Sequence, residues 1–334
     1  MKKSIVFMLF SLLLVVLAAC SDSAGNATNN SSKEAGDSKF PEKSITLMVP
    51  FAPGSVNDSV ARLLAKLTEK HLPNNKAVVV ENVEGGGGIV GMTQLMNAKP
   101  DGYSLGYGTV SHVSVLPHFG DAPFTHDSFQ PIMKLSASVP MLVVRADAPW
   151  NTFDELVTYA KENPGAFNYA TTGAGSISNL NMVAVSNALD FEFKNVPYEG
   201  GAQGITALLG GNIEGAVVMP SDAKEHIKAG TLKALFVFSQ DDSEYETAST
   251  LKDYELESGI EAFSMLFAPK NIPAEEIVIL NEAFHKATQD PEFIEFTKNI
   301  NTNITYLGAK ESQEEATRTF NLAGELLKNL GLIQ

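Results

Sequence analysis

The densest group of residues with chemical potential is a run of glycines. In VVVENVEGGGGIVGMTQL, which begins at Val78, an apolar stretch leads into four glycines and then into a helix-like segment. Gly86, Gly88 and Gly91 fit the G-x-G-x-x-G spacing of a dinucleotide-binding turn, where bare backbone approaches a pyrophosphate. That chemistry also needs an acidic residue about 20 positions later for the ribose. Asp101 comes too early, in a Pro-Asp-Gly turn that closes the helix. The glycines therefore read as a tight strand-to-helix turn with close backbone packing, on the rim of a cleft or beside it. Other catalytic spellings are missing: no G-x-S-x-G elbow, no HExxH and no EF-hand loop occurs. The histidines (71, 112, 118, 126, 226 and 285) are scattered, and the middle three lack carboxylate or cysteine partners at ligand spacing. His112 reads as a neutral hydrogen-bonding group at a strand end. Asp58 lies in a first helical turn, where it either complements the helix dipole or orients loop donors around a ligand. No metal or cofactor is expected.

The N-terminus sets the compartment. MKKSIVFMLFSLLLVVLAAC opens with two lysines, followed by an apolar stretch shorter than the roughly 20 residues that span a bilayer. It reads as an export signal over residues 1–19, ending in a lipobox whose Cys20 is lipidated. Cys20 is the only cysteine, which excludes an internal disulfide and a cysteine-based metal or redox centre. Residues 20–40 are too polar to bury a core and form a flexible tether. Losing Lys2 and Lys3 with the signal takes the net charge from −15 to −17. That balance argues against nucleic acid and against binding anionic lipid through the protein surface. The expectation is a monomer outside the cytoplasm, held to the membrane by its lipid alone.

Alternating strand-like and helix-like segments must position any site. From Ile45 the chain reads strand, loop and helix, with Val60, Leu63, Leu64 and Leu67 at helical spacing. AVVVENV, YSLGYGTV and PMLVVRA follow as strands. After Trp150 the pattern restarts with helix FDELVTYAKEN, strand FNYATT and helix LNMVAVSNAL. FKNVPY, IEGAVVM and LKALFVF are further strands, and the chain from Pro273 is mostly helical. Such alternation predicts an α/β protein with mainly parallel sheets covered on both faces. Ligands in such sheets sit beyond the carboxyl ends of the strands, at helix N-termini. FAPGSVND, VEGGGGIVG, TVSHVS and TTGAGSISN are the candidate loops.

Charge gives an independent clue. No Asp, Glu, Lys or Arg occurs in residues 102–120, 163–189 or 200–213, in a chain that is 19% charged. Burial accounts for the helical parts of these runs. It does not account for TTGAGSISN, a polar loop that belongs at a surface. A cleft that presents hydroxyls, amides and backbone N–H groups fits better.

Seven segments carry a family resemblance in this order: KSITLMVPFAPGSVNDSVARLLA, VVVENVEGGGGIVG, PDGYSLGYGT, NPGAFNYATTGAGS, VPYEGGAQGITALLGGNIE, HIKAGTLKAL and LFAPKNIPAEEIVILNEAF. Together they resemble the extracytoplasmic solute receptors of tripartite tricarboxylate transporters, the Bug family, from Phe40 to the C-terminus. The resemblance implies a two-lobed, type II periplasmic-binding-protein-like Venus flytrap. Residues 41–143 plus 262–334 would form lobe I, and residues 144–261 lobe II. It also implies a small organic acid as ligand, and integral membrane transporter subunits as partners. In relatives two opposed loops hold the ligand carboxylate, and here they map to Phe51–Asp58 and Thr171–Asn179. The residues so implicated are Phe51, Gly54, Ser55, Asn57 and Asp58 in the first loop, and Thr171, Thr172, Gly173, Ser176 and Asn179 in the second. Gly87, Thr109, His112, Tyr198 and Gly200 complete the expected site. Ser55 stands where relatives have a second glycine, Val56 where they have a small hydroxyl residue, Asn179 where a histidine is common, and Glu199 in place of a lysine. These departures bear on ligand identity more than on the mode of binding. Two other functions share the export signal: an anchored sensor for a signalling system, and an exported hydrolase using His112.

Overall fold

A computed structural model describes residues 39–334, apart from 242, 247, 257, 258 and 301. The export signal, Cys20 and all but the last two residues of the tether lie outside the described residues. Phe40, expected in the tether, is buried, with its ring centroid 5.1 Å from that of Tyr103.

The first half of the chain runs β1 (Ile45–Val49), α1 (Val56–Thr68), β2 (Val78–Asn82), α2 (Ile89–Met96), β3 (Ser104–Thr109) and β4 (Phe129–Ser138). It then crosses into β5 (Met141–Arg145), α3 (Phe153–Glu162), β6 (Asn168–Thr171), α4 (Ile177–Leu189) and β7 (Lys194–Pro197). Next come α5 (Gly201–Leu209), β8 (Gly215–Val218), α6 (Pro220–Lys228), β9 (Leu232–Val237) and β10 (Ser249–Thr250). The chain returns through β11 (Ala262–Pro269), α7 (Ala274–Thr288), α8 (Pro291–Asn299), β12 (Ile304–Leu307) and α9 (Ala309–Asn329). Two six-stranded sheets result, ordered β12-β4-β11-β3-β1-β2 and β10-β9-β5-β8-β6-β7.

The two-sheet α/β architecture matches the sequence pattern, but the sheets are mixed rather than mainly parallel. β1 pairs with β2 and β3 in parallel, whereas β11 runs antiparallel to both β3 and β4. β5 likewise lies antiparallel between β8 and β9. In direction, β11 and β12 run against the rest of the first sheet, and β5 against the rest of the second.

Both faces of each sheet are buried, so the strands sort their residues by alternation. Ile45, Leu47 and Val49 of β1 join one core with Leu64 of α1 and Phe284 of α7, while Met48 joins the opposite core. β5 divides in the same way, Leu142 and Val144 against Met141 and Val143.

One helix belongs to two cores. Ile177 and Leu180 of α4 pack with Ala323, Leu326 and Leu327 of α9 against the first sheet. Met182 and Val185 of the same helix pack under the second sheet. α4 is thereby a seam between the halves. It also clamps the returning chain: buried Asn181 accepts the Ile260 N–H and donates to the Ile260 carbonyl, both at 2.8 Å. Asn181→Leu keeps the branched shape, with bulkier methyl groups, but leaves that buried N–H and C=O without partners, at about 1–3 kcal/mol each. Urea unfolding should show a loss of about 2–5 kcal/mol; an unchanged midpoint would show that the clamp carries no load.

Candidate functional site

The loop between β1 and α1 must end a strand and open a helix whose first N–H groups have no acceptor within the helix. Ser55 is the N-cap, and its Oγ accepts the Asp58 N–H at 3.2 Å. Asp58 then turns back on the loop. Its Oδ2 accepts the Gly54 N–H at 2.8 Å and Arg62 Nε at 3.0 Å, and its Oδ1 accepts Asn82 Nδ2 at 2.8 Å. The same Asn82 amide also reaches the Phe51 carbonyl. Gly54, at φ +81°, makes the bend that this ring of bonds encloses. Burial alone would raise the Asp58 carboxyl, but the bonds from Arg62, Asn82 and Gly54 outweigh it and hold the group below the usual carboxylate range. Asp58 is 2% exposed and is spent on the loop itself.

The loop between β6 and α4 repeats this plan with neutral groups. Ser176 is the N-cap, its Oγ accepting the Asn179 N–H at 3.2 Å. Asn179 donates to the Ala174 carbonyl at 2.7 Å and accepts from the Tyr169 hydroxyl at 2.6 Å. Gly173 supplies the bend at φ +130°, and its N–H lies 3.2 Å from Thr171 Oγ1. The two loops read Gly-Ser-Val-Asn-Asp and Gly-Ser-Ile-Ser-Asn, so cap, apolar N1, polar N2 and back-bonding N3 correspond. In each loop the N–H groups of N1 and N2, Val56 and Asn57 or Ile177 and Ser178, are left without an intrahelical acceptor.

A cleft of about 610 Å3 lies between these helix ends. Asn57, Ser176 and Ser178 border it from the two loops, and Ser136, Ser264 and Thr172 add hydroxyls. None of the described residues lining it is charged. Tyr107 anchors one wall: its buried hydroxyl donates to Asn57 Oδ1 at 3.1 Å, and burial pushes its pKa up to about 12, against the pull of a hydrogen bond with Ser264. A second hollow of about 810 Å3 adjoins the cleft through Ser138 and Thr302, bordered by α6 and α8 and carrying Lys224, Glu244 and Lys298. Among the described residues, no three His, Cys, Asp or Glu side chains are grouped to hold a metal ion.

Of the expected site residues, Asn57, Thr109, Thr172 and Ser176 border the cleft. Thr171 and Gly200 line a small recess beside it. Ser55, Asp58 and Asn179 shape the loops from behind. Phe51 packs edge-on against His112 and Tyr107. Tyr198 gives its N–H to the Thr171 carbonyl, and its ring leans on the second sheet's core.

His112 and Gly87 are engaged with each other behind the cleft wall. The His112 ring is buried, with Nδ1 accepting the Thr109 N–H at 3.0 Å and a further hydrogen bond to the Gly87 backbone. Burial pushes its pKa down to about 4, opposed by that bond, so the ring is neutral at physiological pH. It props the glycine turn from inside: a Cβ on Gly88 would fall 2.2 Å from His112 Nε2, and one on Gly91 would fall 2.7 Å from the Val83 carbonyl. The glycine spelling is thus explained by packing. Sequence reasoning missed Tyr107, Ser136, Ser264 and Asn82. Tyr107 sat inside a charge-free run, but only strand pairing brings Ser136 and Ser264 together, at 2.6 Å between their oxygens.

Asp58→Asn should cost about 1.5–3 kcal/mol of stability at neutral pH, the usual worth of hydrogen bonds to a charged group. Because the folded pKa is depressed, this contribution is present above the unfolded value of 3.8 and is lost as pH falls through the folded value. Thermal melts from pH 7 to below pH 4 should therefore show the two proteins converging in acid; a constant gap would separate Asp58 from the acid response.

Comparisons with known proteins agree with the two-sheet α/β fold. A family model described as the tripartite tricarboxylate transporter family receptor matches residues 60–332. A UPF0065 protein of Bordetella pertussis is 31% identical over 296 residues, spanning 88% of this chain and 91% of its own. The crystal structure of a TctC solute binding protein from Polaromonas superposes with a TM-score of 0.82 at 28% identity, covering 87% of this chain and 99% of that one. R. palustris Rpa4515, solved with adipate, shares the fold at TM-score 0.64 and 21% identity, over 87% and 98% of the two chains. This chain belongs to the tripartite tricarboxylate transporter receptor family and is an extracytoplasmic solute-binding protein.

Proposed function

We propose that the protein captures a small carboxylate between its two lobes and delivers it to the membrane subunits of a tripartite tricarboxylate-type transporter. One observation carries this reading: an uncharged cleft bounded by two helix N-termini with the same capping plan. Each helix end offers unpaired N–H groups and about half a positive charge. Hydrogen bonds to a charged group contribute about 1.5–3 kcal/mol each. Three or four of them, less ordering and desolvation costs, leave roughly the −8 kcal/mol of a micromolar receptor. The net negative charge does not oppose this, because screening reduces surface charges beyond about 8 Å while the donors are in contact. The adipate held by the R. palustris protein of the same fold supports the ligand class.

Each lobe supplies one loop, so only a closed form completes the cradle, and ligand favours closure by that difference in affinity. With β5 held whole in the second sheet, residues 41–138 plus 262–334 would move as one lobe and residues 141–261 as the other, so the expected border at 143 shifts to the crossover before β5. Lipidated Cys20, with the tether behind it, would keep the receptor beside its transporter outside the cytoplasm.

A thermal-shift screen of mono-, di- and tricarboxylates on the ligand-stripped protein should raise Tm for at least one acid. Ser178→Ala should weaken that acid by several-fold while moving the unliganded Tm little, whereas Asn57→Ala should weaken it and also lower Tm, because the buried Tyr107 hydroxyl loses its acceptor. Ser178 is the better choice in the second loop, since Ser176→Ala also removes a cap worth about 1 kcal/mol. Stabilisation by sugars or amines but by no acid would overturn the reading. Separately, Cys20→Ala should move the protein from the membrane to the soluble fraction with ligand affinity unchanged; a variant that stays on the membrane would refute the lipid anchor.

A further inference from the structure

A recess of about 70 Å3 opens off the cleft on the side of the second sheet. Thr172, Ser178 and Met219 border both spaces, so the recess begins beside the free N–H groups of α4. Gly200, Gly201 and Gly204 of the α5 start line it, and so does Asp222, the third residue of α6. At about 30 Å3 per water-sized group, it holds roughly two such groups.

Among the described residues, Asp222 is the one charged side chain lining either the cleft or the recess. No ion pair between described residues includes it. Its carboxylate accepts the Met219 N–H and presses on Gly201, where a Cβ would fall 2.2 Å from Asp222 Oδ2. Glycine at 201 is what lets the carboxylate reach the recess. Burial raises the carboxyl above its ordinary range despite the bond from Met219, as expected of an anion short of partners.

We infer that Asp222 determines specificity: the recess takes the protonated amine of an amino-carboxylate whose carboxylate lies at the N-termini of α1 and α4. This rests on the carboxylate reading above and refines it. A second carboxylate entering the recess would meet Asp222 as a like charge, whereas an ammonium would pair with it and use its free lone pairs. Asp222 also completes the cap of α6 by accepting the Met219 N–H. An asparagine oxygen still accepts that bond, though without the charge, so Asp222→Asn keeps the cap contact while removing the ion partner.

Calorimetry on the purified full-length protein would compare succinate with aspartate and glutarate with glutamate, in wild type and in Asp222→Asn. The amine-bearing member of at least one pair should bind wild type at least about tenfold more tightly. Asp222→Asn should abolish that preference and leave the affinity for the amine-free member equal or higher. Equal or tighter wild-type binding of the amine-free acids, or a preference that survives Asp222→Asn, overturns the inference and leaves the carboxylate cradle standing. Binding of amines that lack a carboxylate, with no acid bound, overturns the underlying receptor reading instead. If no pair binds, carboxyl NMR of aspartate-labelled protein decides. A lower Asp222 titration midpoint in methylammonium chloride than in sodium chloride supports the recess, and an identical midpoint overturns it.

Discussion

A helix cannot satisfy its own first N–H groups, and this constraint organises the molecule. At most helix ends those donors go to solvent or to local caps. Here Ser55 and Ser176 each take the third donor, and Asp58 and Asn179 tie the preceding loop behind it. What remains at both ends is a pair of adjacent donors facing one uncharged cleft. The selectivity of such a site for anions comes from backbone, which no side-chain substitution removes directly.

The two halves use one grammar with different chemistry. Asp58 closes its loop through an ionic network with Arg62, while Asn179 closes the other through a neutral bond from Tyr169. The first loop therefore carries an acid-sensitive element and the second does not. Behind the loops, His112 fills the space that a side chain on Gly88 would need, and it stays neutral while doing so. A residue type that often works in catalysis serves here as a strut between β3 and the glycine turn.

Much of this was legible in the residue order. Helical spacing located α1, turn residues bracketed the loops, and the charge-free runs at 102–120 and 163–189 marked walls of the cleft. β4, β11 and β12 were not legible as strands. Pro131 lies inside β4, opposite an irregularity in the β11 register, and proline in a run argues against a strand. β11 is buried on both faces and lacks alternation, so an apolar run there could equally be helix. Those strands turn the first sheet from parallel to mixed, as β5 does the second, and they bring Ser136 and Ser264 into the cleft. Asn82 and Tyr169 were invisible for a related reason: their partners are 24 and 10 residues away, across a loop whose shape they create. The lipid anchor rests on residues outside the described structure.

The place of α4 in two cores has a mechanical result. A seam packed as densely as an interior does not slide freely, and Asn181 fastens the returning chain along it. A change of side-chain volume on α4 is therefore felt in both cores at once. Away from that seam, α6 and α8 flank the larger hollow, where Lys224 and Lys298 bring positive charge to the border of the uncharged cleft.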